Sequence, residues 1–371
     1  MYKGHRRPAG CAIARNLTPF VKSREAFVSA STKRKPSTMR PISFTTLLGG
    51  PLLGQLVTAL PSAGCSTNQE VTLEQTYNVQ MGDRRYLLWF PINYEPSKPA
   101  PLVLSYHGGT RIAEEQQRLD LLSTAYFNKE YIMVYPNGVN ETWEGVPDVD
   151  TDDVGFTGDI LDELEAQYCI DTDRIYATGK SQGGGFVGVL ACDEDMSQRI
   201  AAFSPVSGAF YISDFGDECE PETVAIEPCS PGRDNVPILD FHGLADDTIK
   251  YYGGERKGGC LPTIPHWVQT WAERDGLGPE NVTSTVPGAP SDSSAVRYEF
   301  GEGSQQGLVT HIMDGTDIGH DWPSTQPNSD NSQAGRHPAS FNASSLILDF
   351  FAANPLVPAQ KVPGCGNHTH S

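Results

Sequence analysis

Gly179-Lys180-Ser181-Gln182-Gly183 fits the pattern G-x-S-x-G, and its surroundings give the pattern a meaning. Before it stands a strand-like run, Arg174-Ile175-Tyr176-Ala177-Thr178. After it, Gly183 to Ala191 reads as a helix of small residues. A sharp turn from strand to helix lifts a serine hydroxyl clear of a sheet and leaves backbone N–H groups free to hold an oxyanion. Glycine is needed around the serine because a Cβ there would strike the neighbouring strand and helix. A plain glycine-rich turn can carry the same five letters, so the flanking elements carry the reading.

Outward from this turn, short apolar runs alternate with amphipathic stretches. Tyr86 to Phe90, Pro101 to Tyr106, Tyr131 to Tyr135, Ala201 to Pro205, Ile238 to Phe241 and Leu308 to Met313 read as strands. Val154 to Tyr168 has apolar residues at helical spacing, and Ile264 to Ala272 and Ser344 to Phe351 are further helices. Such alternation predicts a mostly parallel sheet with helices on both faces. Ligands bind at the carboxyl ends of such strands, where Ser181 falls.

A serine hydroxyl needs a base to take its proton and an acid to orient that base. In the α/β-hydrolase fold these follow in the order Ser, Asp or Glu, His. The chain offers candidates in that order, each after a strand-like run. The acid lies in Phe241-His242-Gly243-Leu244-Ala245-Asp246-Asp247, where Asp246 is chosen and Asp247 stays open. Either carboxylate would also serve to cap the next turn. The base lies in Asp317-Ile318-Gly319-His320-Asp321-Trp322-Pro323, in a loop bounded by Gly and Pro. His320 ranks above His311, which falls within a strand, and above His266, which falls within a helix. His242 reads as a residue that positions the acid loop. The oxyanion hole is expected from the N–H of Gln182 and from Gly109 or Thr110, in His107-Gly108-Gly109-Thr110 after an early strand. The reading is an α/β-hydrolase fold performing two-step acyl transfer, with no metal or organic cofactor.

With these residues in hand, the chain resembles fungal secreted feruloyl esterases, especially the type C and D group of the family-one carbohydrate esterases. It is similar, more distantly, to polyhydroxybutyrate depolymerase-like esterases. The matching segments are Tyr106-His107-Gly108-Gly109-Thr110, Tyr135-Pro136-Asn137-Gly138, Cys169-Ile170-Asp171 and Arg174 to Gly185. They continue through Phe241-His242-Gly243 to Asp246, and Gly319-His320-Asp321-Trp322-Pro323. The resemblance implies cleavage of hydroxycinnamoyl esters on plant cell-wall polysaccharides, or of small hydroxycinnamate esters, by Ser181, Asp246 and His320. The chain departs from the family where the acid loop runs Ile249-Lys250-Tyr251, with Lys250 in place of Pro. That departure bears on the cleft, not on the triad. Acetylxylan esterase and polyester depolymerase activities share the lineage. A phenolic acyl group calls for aromatic walls, and Trp322 and Tyr251 are the substrate-contact candidates, with Trp143, Phe210 and Tyr211 also near loops. The segment from Gly208 to Asn235, with Cys219 and Cys229, reads either as part of a substrate rim or as a stapled surface loop.

The chain has 371 residues. Residues 1–38 are basic and lack an apolar period, and they read as an extension upstream of the true start at Met39. Residues 39–63 have the layout of a secretory signal peptide; the rival reading is an organelle transit peptide, because residues 1–38 are rich in Arg and Lys with Glu25 their only acid. Their apolar stretch is interrupted by Gly49, Gly50, Pro51 and Gly54, too short for a membrane span. Residues 64–353 are read as one esterase domain, and residues 354–371 as a tail rich in Pro, Gly and His. The whole chain carries a formal charge of −19; without residues 1–63, 17 Lys and Arg stand against 45 Asp and Glu, a charge of −28. So acidic a protein repels nucleic acid and anionic membranes, and neither is expected as a partner. Seven cysteines follow the leader and lack zinc-site spacing, which points to disulfides with one thiol left over. Sequons at Asn140, Asn281, Asn342 and Asn367 suit a secreted glycoprotein. A catalytically silent hydrolase fold used for binding is the rival from another class, but the Ser, Asp and His set is intact. A serine peptidase on the same fold is disfavoured, because no propeller or other gating domain is present.

Overall fold

The computed structural model describes residues 60–356. The upstream extension, the leader through residue 59, Cys365 and Asn367 lie outside them.

Among the described residues twelve strands form, in chain order: β1 Thr76–Met81, β2 Arg84–Trp89, β3 Ala100–Tyr106, β4 Ile132–Pro136, β5 Ile170–Lys180, β6 Ala202–Val206, β7 Ile238–His242, β8 Gly254–Arg256, β9 Gly259–Leu261, β10 Asn281–Thr285, β11 Val296–Phe300 and β12 Val309–Met313. The α-helices are α1 Ala113–Asp120, α2 Asp153–Gln167, α3 Gln182–Cys192, α4 Glu194–Arg199, α5 Ile264–Arg274 and α6 Ala343–Ala353. Ten strands make one sheet in the order β1-β2-β4-β3-β5-β6-β7-β12-β11-β10. From β4 to β12 every neighbouring pair is parallel. The two flanks are antiparallel. β8 and β9 form a separate hairpin.

The central strands are buried on both faces, and their sequences read accordingly. β3 (APLVLSY) and β4 (IMVYP) are buried throughout, as parallel strands covered by helices must be. One core fills the face under α2, α3 and α5, with Phe156, Ile160, Phe186, Leu190, Trp267 and Trp271. A second fills the opposite face, with Leu119 of α1 and Ile347 and Phe351 of α6. Each of these large side chains contributes roughly 1.5–3 kcal/mol by leaving water. This is an α/β-hydrolase fold.

The folded unit reaches beyond the expected domain limits of 64 and 353. Ser62 donates its N–H to the Ile170 carbonyl at 2.9 Å, and Thr172 donates to Leu60 at 2.9 Å. At the other end, Leu356 donates to Asp173 at 2.8 Å. Three disulfides, Cys65–Cys169, Cys192–Cys229 and Cys219–Cys260, fasten this unit. Cys219 and Cys229 are therefore not joined to each other. Each ties the 208–235 segment to a different part of the domain. No helix of the described residues is long and apolar enough to cross a membrane.

Candidate active site

The turn between β5 and α3 holds Ser181 at φ 57° and ψ −119°. A left-handed φ is strained for a serine, and such strain persists only where the surroundings enforce it. Here the enforcement is visible. The Ser181 N–H donates to Val206 at 3.0 Å, and its carbonyl accepts from Gly185 and Ala209, each at 2.9 Å. Gly183 lets α3 press against β3, since a Cβ there would lie 2.3 Å from the Tyr106 carbonyl oxygen.

Asp246 and His320 come together from the loops after β7 and β12. His320 Nδ1 lies 2.7 Å from Asp246 Oδ2. Asp246 Oδ1 accepts the N–H groups of Thr248 and Ile249, each at 2.8 Å. His242 lies beneath. Its Nε2 donates to the Ile249 carbonyl at 2.7 Å and stands 3.3 Å from Asp246 Oδ2. Burial pushes the Asp246 carboxyl up, but the hydrogen bonds from His242 and His320 outweigh it and hold the group well below the usual carboxylate range. His320 is lowered, first by burial and then by the Lys180 cation, against the opposing pull of Asp246. A neutral imidazole beside a fixed carboxylate is the protonation state a general base requires. Asp247 points the other way. Its side chain is 80% exposed and lies 3.7 Å from Arg336.

Ser181 and His320 border the same cleft, of about 660 Å³, together with Gly108, Gly109 and Gln182. They share no direct hydrogen bond among the described residues, the looser spacing common in substrate-free sites. Gln182 opens α3, where the first N–H groups have no partner within the helix. Its side-chain Oε1 accepts from Thr142 Oγ1 at 3.1 Å and packs against Gly109 so closely that a Cβ on Gly109 would lie 2.1 Å away. Of the two positions expected to supply the second donor, Thr110 is engaged elsewhere. Its N–H donates to the Glu141 carbonyl at 2.8 Å, whereas Gly109 lines the cleft beside Ser181 and Gln182.

The neighbouring loop ties the Pro136-Asn137-Gly138 and His107-Gly108-Gly109 segments together. Gly138 donates its N–H to His107 Nε2 at 2.9 Å, so His107 Nδ1 carries the proton and donates to Gly108 at 2.8 Å. Burial pulls His107 down to about 4, keeping it neutral. Asn137 Oδ1 accepts the Ala113 N–H at 3.1 Å. The Pro136-Asn137-Gly138 turn thus shapes the His107-Gly108-Gly109 turn.

The two proposed substrate contacts lie elsewhere. Trp322 is fully buried, and its indole N–H donates to Ser344 at 2.9 Å. Its own backbone N–H donates to Asp330 Oδ2 at 2.9 Å, so it anchors the base loop. Tyr251 is buried with its hydroxyl 2.9 Å from His311 Nε2. Neither lines the cleft; of the aromatic candidates only Tyr211 does. Large aromatics in loops beside a sheet end are pulled into the core by their own burial energy. A further pair was not foreseen. Lys180, inside the elbow, forms a 2.6 Å ion pair with Asp330, and both side chains are 10% exposed. The same Asp330 oxygen holds Trp322, so one carboxylate links the elbow to the base loop.

A strained serine at the end of a parallel strand, facing a cleft shared with a carboxylate-bound imidazole, is the architecture of a serine hydrolase on the α/β-hydrolase fold. No family model matches the chain. It resembles fungal feruloyl esterases, which are carboxylic ester hydrolases. Feruloyl esterase D of Neurospora crassa is 27% identical over 71% of this chain and 84% of its own length. A probable feruloyl esterase C of Aspergillus oryzae is 28% identical over 65% and 83%. Feruloyl esterase B of Piromyces equi is 31% identical over 46% of this chain, a stretch that makes up 31% of that protein. An acetyl xylan esterase from Aspergillus awamori superposes with a TM-score of 0.51 at 14% identity, over 75% of this chain and 99% of its own. That likeness concerns the fold.

Proposed function

We propose that this protein is a secreted serine esterase that hydrolyses hydroxycinnamoyl esters of plant cell-wall polysaccharides. The observation that carries the reading is the 2.7 Å His320–Asp246 pair bordering the same cleft as Ser181. The names of the fungal relatives supply the ester class, and the three disulfides support an oxidising destination.

In the proposed mechanism Ser181 Oγ attacks the ester carbonyl while His320 Nε2 takes its proton. Asp246 holds the imidazole with its other proton on Nδ1 and stabilises the imidazolium that forms. The N–H groups of Gln182 and Gly109 hold the oxyanion. The C–O bond to the alcohol breaks as His320 returns the proton to the departing oxygen. Water then repeats the sequence on the acyl-enzyme, releasing the acid and free Ser181.

The test is release of free hydroxycinnamic acid from methyl ferulate and methyl caffeate, with Ser181→Ala as control. Release that disappears in the control supports the reading. Activity confined to acetylated xylan or short acyl esters keeps the nucleophile and overturns the substrate.

A further inference from the structure

The wall of the cleft inverts the charge of the chain. Asp and Glu outnumber Lys and Arg by 46 to 27 over the whole sequence. Along the cleft stand Arg111, Arg118, Lys180, Arg256, Lys257 and Arg336, against only Glu115 and Asp330. Both acids are engaged, Glu115 with Arg111 at 3.1 Å and Asp330 with Lys180 at 2.6 Å. Arg336 faces Asp321 and Asp247 at 3.4 and 3.7 Å. Among the described residues Arg118, Arg256 and Lys257 have no ion-pair partner, and Arg256 Nε is buried without a hydrogen bond.

These three come from two elements that border the cleft. Arg118 lies in the last turn of α1. Arg256 ends β8, and Lys257 begins the tight turn into β9, with φ 50° followed by Gly258 at 76°. That hairpin is fastened by the Cys219–Cys260 disulfide and by the Ile212–Cys260 bridge. The disulfide and the bridge hold at the cleft the backbone that carries Arg256 and Lys257, and like charges gathered in one cleft raise the local concentration of an anion. A guanidinium matches a carboxylate through two parallel N–H···O bonds. The acyl side of a hydroxycinnamoyl ester offers no such group, because its carboxyl is the ester itself. An anion must therefore sit on the alcohol side, and the acidic sugars of plant cell walls are uronates.

We infer that the cleft recognises a carboxylate on the saccharide side of the ester, so that uronate-bearing polysaccharide is favoured over neutral, with Arg118, Arg256 and Lys257 as its specificity-determining residues. The inference rests on the esterase reading only for the nature of the ligand. Its test needs no catalysis. Calorimetry on Ser181→Ala protein compares tetragalacturonate with xylotetraose. Tetragalacturonate is expected to bind at least about tenfold more tightly, a preference worth about 1.4 kcal/mol. Adding Arg118→Gln, Arg256→Gln and Lys257→Gln is expected to erase that preference, with xylotetraose binding as the internal control for folding. Equal affinity for the two probes, no binding of tetragalacturonate, or a preference that survives the triple substitution would each overturn the inference. A serine-independent or absent ferulate release would instead remove the esterase reading and leave this result standing.

Discussion

Asp246→Asn changes one atom at the centre of the proposed triad, and the structure sets the size of its effect. Asp246 Oδ1 accepts two backbone N–H groups at 2.8 Å, while Oδ2 faces His320 at 2.7 Å. An asparagine has one oxygen. If that oxygen keeps the two N–H groups, the amide NH₂ faces His320 Nδ1. The imidazole must then accept there and carry its proton on Nε2, so it cannot take one from Ser181. If the amide turns over, His320 keeps its working tautomer, but two N–H groups meet an NH₂. Each unmatched buried donor costs about 1–3 kcal/mol, so the working arrangement stands roughly 2–6 kcal/mol above the other. Each 1.4 kcal/mol is about tenfold. Losing the carboxylate's hold on the imidazolium adds to this. The expected fall in kcat/KM for methyl ferulate is therefore about 10³–10⁴-fold, the range typical of orienting-acid removal.

The paired control is Asp247→Asn, whose carboxylate is 80% exposed and outside this network. Its kcat/KM is expected to stay within about twofold, as surface changes usually do. Thermal midpoints measured on both variants separate lost chemistry from lost fold. Asp246→Asn retaining a tenth of the activity, or Asp247→Asn proving the more damaging, would refute the assignment.

Three further outcomes follow from the same geometry. Because burial and Lys180 lower His320, the base stays neutral below the ordinary imidazole range; the acidic limb of the kcat/KM profile is expected below pH 6.5, and Lys180→Met, measured in the same profile, moves it upward while destabilising the protein by leaving Asp330 unpaired. Burial raises Asp120 from 3.8 to about 7 and Asp275 to about 6; groups whose folded value is raised stabilise below their unfolded value and lose that contribution as pH rises through the folded one. The urea midpoint should therefore drop between about pH 4 and 7 and level off above, and a slope unchanged in Asp120→Asn would discard that cause. Gly183→Ala would drive a methyl into the Tyr106 and His107 carbonyls at 2.3 and 2.6 Å. With no room in the backbone, it is expected to abolish soluble expression, whereas Gly216→Ala, in open space, is limited to the cost of its positive φ.

The central strands were legible because burial on both faces forces continuous apolar runs, and β3, β4, β5, β6, β7 and β12 each lie within a few residues of where the pattern puts them. The edge elements escaped for the opposite reason. β10 (NVTST) is exposed at every position, so no apolar alternation marks it. Helix α1 (AEEQQRLD) is polar on most of its surface, and its start is set by Glu115 reaching back to the Ile112 N–H at 3.1 Å. A limit at residue 64 follows from small-residue cleavage positions and one at 353 from tail composition, and neither signal carries a trace of the pairing of Leu60 and Ser62 with β5.

The site divides along the same line. Ser181, Asp246 and His320 sit where strands end, so strand order and Gly-bounded loops point to them, and a 2.7 Å contact joins the last two. The cleft around them is built otherwise. Arg118 lies well over a hundred residues before the adjacent pair Arg256 and Lys257, in a stretch that shares no pattern with theirs. Their convergence depends on the α1 position and on a hairpin tied by Cys219–Cys260, neither of which a linear reading resolves. Net charge misleads here in a specific way. A strongly acidic total argues against anionic partners for the surface at large, yet a ligand in the cleft meets first the charges on its own wall. The residues proposed for the chemistry are thus encoded locally, in short motifs, while those proposed to select the attached saccharide are brought together only by the fold.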